Sequence, residues 1–282
     1  YSSEKVERLK AQASRIEAAG ICAITDGGFH PGVPAALVRL AAGKIPSLRV
    51  ANVGSLIQID WRAIEIADVT ALEMVQEFAD YSSQYYGAGR WRSMGWLTGS
   101  GGLGFDFGPP WGRRSCVPMF LEELRELPGA FPTLRDTGFF VGGFGWLPDF
   151  VIIPVVMIGM KLAPRLVEGW LSQLFAWSLR RASKPPFGTA LQLEAEGEGK
   201  GGEPRRLRLR LAHADGYDFT AIPVVACLLQ WLDGDARKPG LATMANIVEP
   251  SRFLADLERL GVRVESEESE GTPRDGDPRH LS

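Results

Sequence analysis

The chain has 282 residues, 45% hydrophobic and 23% charged, with a net charge of −3. This is a globular composition with room for one large or two modest cores, and its net charge gives no electrostatic footprint for nucleic acid or an anionic membrane. Three cysteines (Cys22, Cys116, Cys227) and three histidines (His30, His213, His280) stand far apart, which argues against a disulfide framework and a metal site and fits a reducing, cytoplasmic compartment.

Residues 1–20 form a polar segment in which Val6, Leu9, Ala13 and Ile16 recur at three- and four-residue steps. That spacing predicts an amphipathic helix rather than a signal peptide. Residues 21–25 are short, apolar and partly β-branched, as a buried strand is. Asp26-Gly27-Gly28 then forces a sharp turn into a helix over 31–42, with Pro31 or Pro34 in its first turn and Gly43 and Pro46 ending it. A strand that ends in glycines and feeds a helix is where open α/β sheets place ligand sites, although such turns are also ordinary connections.

Residues 50–66 are strand-rich. Thr70 and Glu73 have capping-box spacing for a helix running to about Tyr86, with Leu72, Val75, Phe78, Ala79 and Tyr86 facing a core. Residues 89–97 follow as a strand with Arg90 and Arg92 on one face and Trp91 on the other. The paired guanidinium groups either grip a carboxylate or form a solvated face.

Residues 99–104 fit the string G-x-G-x-x-G. A dinucleotide site needs a helix N-terminus directly afterwards, and the following Phe-Asp-Phe-Gly-Pro-Pro cannot open one, so the segment reads as a flexible loop. Residues 108–114 make a second turn carrying Arg113 and Arg114, and 118–127 a short helix. Residues 137–146 read as a glycine-rich strand.

Residues 150–160 are the most apolar run but too short to span a bilayer, and 162–182 read as an amphipathic helix with Leu166, Trp170, Leu174 and Trp177. Together they are either a core or dimer-interface pair, a peripheral membrane surface through Phe150, Ile153 and Val156, or an apolar substrate channel. Residues 189–195 and 205–213 alternate leucine with polar residues as a hairpin, ending at His213, a strand-end residue or a proton donor. Thr220 is placed to cap a helix over 221–232, and Ser251 to open one reaching 260 before a strand at 262–264. The charged residues 265–282 read as disordered.

The stretch Ile-Thr-Asp-Gly-Gly-Phe-His-Pro-Gly-Val-Pro-Ala-Ala-Leu-Val-Arg (24–39) resembles the saccharopine dehydrogenase family where the chain leaves the dinucleotide-binding domain for the catalytic domain. Asp26 and Gly28 match, while Gly27 stands where the family often has proline. The 70–87 helix, the Phe-Gly-Pro-Pro-Trp-Gly-Arg-Arg turn, residues 122–128, the late hairpin and the ending at 253–262 extend the resemblance over about residues 1–264.

The resemblance implies an α/β fold, with α+β character in a main domain whose mixed sheet is covered by helices. Its divisions would be the last helix and strand of a Rossmann domain at 1–30, a substrate and dimerisation domain at 31–245, and a returning helix and strand at 246–264. It implies the C-terminal part of an oxidoreductase transferring hydride between NAD or NADP and a C–N bond of an amino-acid-derived small molecule. Asp26 and His30 would be catalytic, Asp26, Gly27 and Gly28 would line the cofactor, and Arg90, Arg92, Arg113 and Arg114 would hold substrate. A homodimer is expected. The alternatives are a non-catalytic binding module on the same fold, or a reductase of a lipid-like substrate at a membrane surface.

Overall fold

The structure is a computed structural model that describes residues 3–78, 81–95, 101–145 and 147–270. In place of one helix over 1–20 there are two, α1 (Ser3–Lys10) and α2 (Ala13–Ala18). Strand β1 (Cys22–Thr25) follows, but it is not the buried strand expected, since none of its residues is fully buried and Ile24 is exposed. Then comes α3 (Val33–Lys44) with Pro34 in its first turn, as its local signals predict. Next come β2 (Ser47–Gln58), α4 (Asp68–Glu77), β3 (Gln84–Gly87), β4 (Arg90–Ser93), β5 (Leu103–Asp106) and β6 (Arg113–Pro118).

A 3₁₀ turn at Glu122–Leu124 and α5 (Leu127–Ala130) lead to β7 (Asp136–Gly142). A π-helical turn at Pro148–Ile152 opens α6 (Ile153–Leu162), which doubles back into α7 (Pro164–Ala182). The hairpin is β8 (Gly188–Glu198) and β9 (Pro204–His213). The chain ends with α8 (Gly216–Asp233), β10 (Gly240–Thr243), α9 (Met244–Ile247), α10 (Pro250–Arg259) and β11 (Arg263–Glu270).

The strands make a mixed α/β architecture. A nine-stranded sheet runs in the order β11-β9-β8-β2-β7-β3-β4, with β6 joining β7 beside β3 and β5 pairing β6. β2 and β7 are parallel, and the other pairs are antiparallel. Separately, β1 pairs in parallel with β10, from Cys22 opposite Gly240 to Thr25 opposite Thr243.

Alternation along the strands divides the core. Val53, Leu193, Leu209 and Phe139 point to one face, under α3, α8 and α10. Leu56, Ala190, Ala212 and Phe140 point to the other, under Phe105, Phe107 and Trp111. Gly54 is glycine because a Cβ there would lie 2.4 Å from the Phe105 ring. A third cluster joins α4, α6 and α7 around Trp61, Val75, Val156 and Phe175.

Several local readings are corrected. α4 starts at Asp68 with no side-chain cap, so Thr70 and Glu73 form no capping box, and Tyr86 belongs to β3. Asp215, not Thr220, caps α8, accepting from the N–H groups of Tyr217 at 2.7 Å and Asp218 at 3.0 Å. Glu249 caps α10 ahead of Ser251.

Residues 265–270 are strand, not disordered. Glu265, Glu267 and Glu270 stand opposite Arg210, Arg208 and Arg205 of β9. A charged segment can form a strand where its neighbour carries the opposite charge in register. Residues 271–282 lie outside the described residues, as do Ala79, residues 99 and 100 of the glycine-rich string, and residue 146.

Candidate functional site

The site is built on the elbow between β1 and α3. Asp26 has φ 53, Gly28 φ 155 and Gly32 φ 122, so the chain turns through three left-handed positions in seven residues. Gly32 is the one with no room: a Cβ would lie 2.4 Å from Met244 Cε and 2.8 Å from the Asp26 carbonyl oxygen. Gly27 differs. A Cβ there would make ordinary contacts at 3.5 Å with Val224 and 3.6 Å with Met244, and the residue is exposed.

Beneath the elbow lies a buried carboxyl group that the sequence reading did not single out. Glu123, 3% exposed, reaches from the 3₁₀ turn to the start of α3, where its Oε1 accepts the Ala35 N–H at 3.3 Å. Burial pushes its carboxyl up to about 8, against the hydrogen bonds from Gly32 and Ala35. Asp26 is also raised by burial, and its Oδ2 has no hydrogen-bond partner among the described residues. Its neighbour Glu122 is bound by Lys10 at 2.8 Å and by Arg125 at 2.8 Å.

His30 precedes α3, whose N-cap is Gly32. Its ring lies 4.5 Å from that of Phe29 and 5.2 Å from that of Phe139. Burial drives the imidazole down to about 4, so it is neutral at physiological pH and can donate from one ring nitrogen while accepting at the other.

Three adjoining cavities meet at Trp61, and two of them are also lined by this histidine. One of about 310 Å³ is lined by His30, Ile57, Trp61, Met74, Thr189 and Tyr217. A second of about 260 Å³ shares His30, Ile57, Trp61 and Met74 and continues past Tyr81, Phe144 and Asp149. The third, about 840 Å³, shares Trp61, Ser115, Phe144 and Asp149 with the second and is walled by Arg113, Arg114, Arg181 and Lys184.

The four arginines singled out in the sequence therefore separate. Arg113 and Arg114 line the large cleft, which adjoins the second of the cavities lined by His30, and neither side chain has a polar partner among the described residues. Arg92 instead donates through Nε to the Gly87 carbonyl at 3.0 Å, beside a hollow formed with Tyr85, Tyr86 and Asp136. Arg90 is exposed on the same edge strand and lines none of the three cavities. His213 stays at its strand end, where Nδ1 accepts the Asp215 N–H at 3.1 Å.

Asp149 is the second residue the sequence reading missed. It sits where the apolar cavity opens into the cationic cleft. The loop before it turns its N–H groups inward, and the carboxyl accepts that of Gly145 at 3.2 Å. Burial nevertheless raises Asp149 to about 6, within reach of physiological proton exchange. The G-x-G-x-x-G string offers no phosphate cradle among its described residues, because Leu103 opens β5 rather than a helix.

No protein-family model matches the chain, and no curated protein matches its sequence. Solved structures do. Saccharopine dehydrogenase (L-Glu forming) from Saccharomyces cerevisiae superposes with a TM-score of 0.58 over 93% of this chain and 77% of its own length, at 12% identity. At that identity the likeness shows the fold: the chain has the mixed-sheet architecture of this dehydrogenase. Homospermidine synthase from Legionella pneumophila, solved in complex with NAD, aligns over 97% of this chain and 63% of its own, at 9% identity and a TM-score of 0.43, too low to carry an argument.

Proposed function

We propose that the chain is the substrate-binding part of an NAD(P)-dependent oxidoreductase, acting on an amino-acid-derived substrate at a C–N bond. The observation that carries this reading is an apolar cavity lined by His30 that shares Trp61, Phe144 and Asp149 with a cleft walled by Arg113 and Arg114. An apolar pocket with a few convergent polar groups is the usual form of a small-molecule site. The dehydrogenase fold adds weight to the choice of chemistry.

The residues present fit the nicotinamide end of the cofactor and not its pyrophosphate. The α3 N-terminus, the natural phosphate position, is filled by the Glu123 carboxyl. The exposed Gly27 backbone lies at the C-terminal end of a parallel strand, where a flat ring can approach. The phosphates would be held by a nucleotide-binding α/β unit packed against β1 and α8. Ile21, Ile24, Val224, Val225 and Leu228 are exposed there and would be covered by it.

When bound, the nicotinamide supplies or accepts hydride. His30 positions the reacting nitrogen as a neutral donor and acceptor, and Asp149 holds or moves the proton. Arg113 and Arg114 bind the substrate carboxylate, and Trp61 and Phe144 exclude water between the two ends. Arg90 and Arg92 have no part in this.

The test is titration with NADH and NADPH of the protein expressed from its complete reading frame, followed by turnover with mixtures of 2-oxo acids and amines. Binding of one cofactor, with turnover that needs Arg113 and Arg114, supports the enzyme. Binding of neither leaves a non-catalytic module that keeps the fold.

A further inference from the structure

The helical hairpin α6–α7 carries two apolar stripes that nothing in the fold covers. On α6 and the turn before it, Val151, Val155, Ile158 and Leu162 are exposed at steps of four, three and four residues. On α7, Leu166, Trp170 and Trp177 repeat the pattern. Exposure rises toward the tip of the hairpin, to 81% at Leu162 and 87% at Leu166. The core side is a different set, Val156, Met160, Leu171, Phe175 and Leu179. Isolated exposed apolar residues need no explanation, but a contiguous patch on two helices does.

The charge on the two helices is net positive. Residues 147–184 hold five cations, Lys161, Arg165, Arg180, Arg181 and Lys184, against two acids, in a chain whose net charge is −3. Of the acids, Asp149 faces inward to the cavities and Glu168 accepts a hydrogen bond from Gln76 at 3.2 Å. Lys161 and Arg165 each immediately precede one of the two protruding leucines.

We infer that the α6–α7 hairpin docks on the surface of an anionic lipid bilayer, its leucine tip and tryptophans entering the headgroup region while the flanking cations meet lipid phosphates. No helix among the described residues is long and apolar enough to cross a membrane, so the hairpin lies on the bilayer rather than spanning it. Tryptophan prefers the interfacial depth. Basic residues beside an apolar anchor each add to binding on anionic lipid. A second copy of the chain fits less well, because interface centres are depleted in lysine and this one would bury Lys161 beside the tip.

The lipid-facing set differs from that expected of the sequence: Val156 is fully buried and Ile153 half-buried. Trp177 and Arg181 belong both to this face and to the wall of the cationic cleft, so the docked protein would hold the mouth of its cleft close to the bilayer.

The experiment is co-sedimentation of the purified protein with sucrose-loaded vesicles. One set is phosphatidylcholine alone, the other phosphatidylcholine mixed with phosphatidylglycerol. The protein should pellet with the mixed vesicles, weakly with the neutral ones, and should be released by high salt. Two double variants, Leu162→Glu with Leu166→Glu and Lys161→Glu with Arg165→Glu, should each weaken partition by about tenfold or more with circular dichroism unchanged. Three results would overturn the inference: wild type that stays in solution with mixed vesicles, partition that neither variant alters, or a solution dimer that the leucine variant dissociates while no vesicle binding is seen. The last would reassign the face to contact between copies.

Discussion

Glu123 accepts the backbone N–H of Ala35 at 3.3 Å, so the α3 N-terminus is occupied by the protein's own carboxyl group. Its pKa is raised to about 8 by burial, which means the folded state holds that proton more tightly than the unfolded chain does. The stabilisation is complete below the ordinary glutamate pKa and is lost as pH rises through about 8. Glu123→Gln should match wild type at about pH 5 and exceed it at about pH 9, read as urea midpoints. Equal midpoints at both values would place the proton elsewhere. Glu123→Ala removes the acceptor and should cost about 1–2 kcal/mol at about pH 5, as loss of a helix cap does, and less at about pH 9, where the wild type has lost the stabilisation carried by the proton.

Gly32 and Gly27 share the elbow but not its constraints. Gly32→Ala must place a methyl group 2.4 Å from Met244 Cε and 2.8 Å from a carbonyl, at φ 122. It should cost about 3 kcal/mol or more, from backbone strain together with overpacking. Gly27→Ala, with ordinary contacts at 3.5 Å, should stay within about 0.5 kcal/mol in stability. If nicotinamide approaches this backbone, Gly27→Ala will instead weaken cofactor affinity. Thermal unfolding and cofactor titration of both variants separate the two effects.

The last strand gives a test of register. Glu267 faces Arg208, with the carboxylate 3.4 Å from the guanidinium, and Glu194 lies on the other side of the same arginine at 3.8 Å. Glu265→Lys with Glu267→Lys sets like charges opposite β9 and should lower stability by about 1 kcal/mol, an effect that high salt reduces. Amide exchange should show the loss concentrated in residues 263–270. Uniform loss, or none, would mean that β11 does not depend on these pairs.

What the sequence made legible was local. The apolar run before Asp26, the glycines after it and the prolines of α3 are all neighbours, and each acts over a few residues. The leucine alternation of β8 and β9 is equally local, and its leucines do form the core. What stayed hidden depended on distant partners. The acidic run at 265–270 resembles a solvated tail until Arg206, Arg208 and Arg210 are set opposite it. The spacing of Leu166, Trp170 and Trp177 marks a helix face but not which side of it meets protein. Asp149 owes its raised pKa to burial that the Gly-Gly-Phe-Gly loop and two packed helices create together. Of the four arginines, only the topology separates Arg113 and Arg114 from Arg90 and Arg92.

That separation predicts a difference in kinetics. Arg113→Ala with Arg114→Ala should raise the KM for an anionic substrate by about tenfold or more, equivalent to about 1.4 kcal/mol per tenfold. Arg90→Ala should leave KM unchanged, since its side chain lines none of the joined cavities. A larger effect from Arg90 would move the carboxylate site to the β3–β4 edge.

Asp149 carries the remaining prediction, because two groups at this site have been driven in opposite directions. His30, lowered to about 4, is neutral across the physiological range and gives no limb to a pH profile there. Asp149, raised to about 6, changes charge within it. If Asp149 exchanges the proton, kcat/KM should bend near pH 6, and Asp149→Asn should remove the bend while lowering kcat by about 10²-fold or more. The asparagine keeps an oxygen for the Gly145 N–H, so the loop that holds the carboxyl should survive the change. His30→Gln should lower kcat without moving the bend. A bend that persists in Asp149→Asn and disappears in His30→Gln would reverse the two roles.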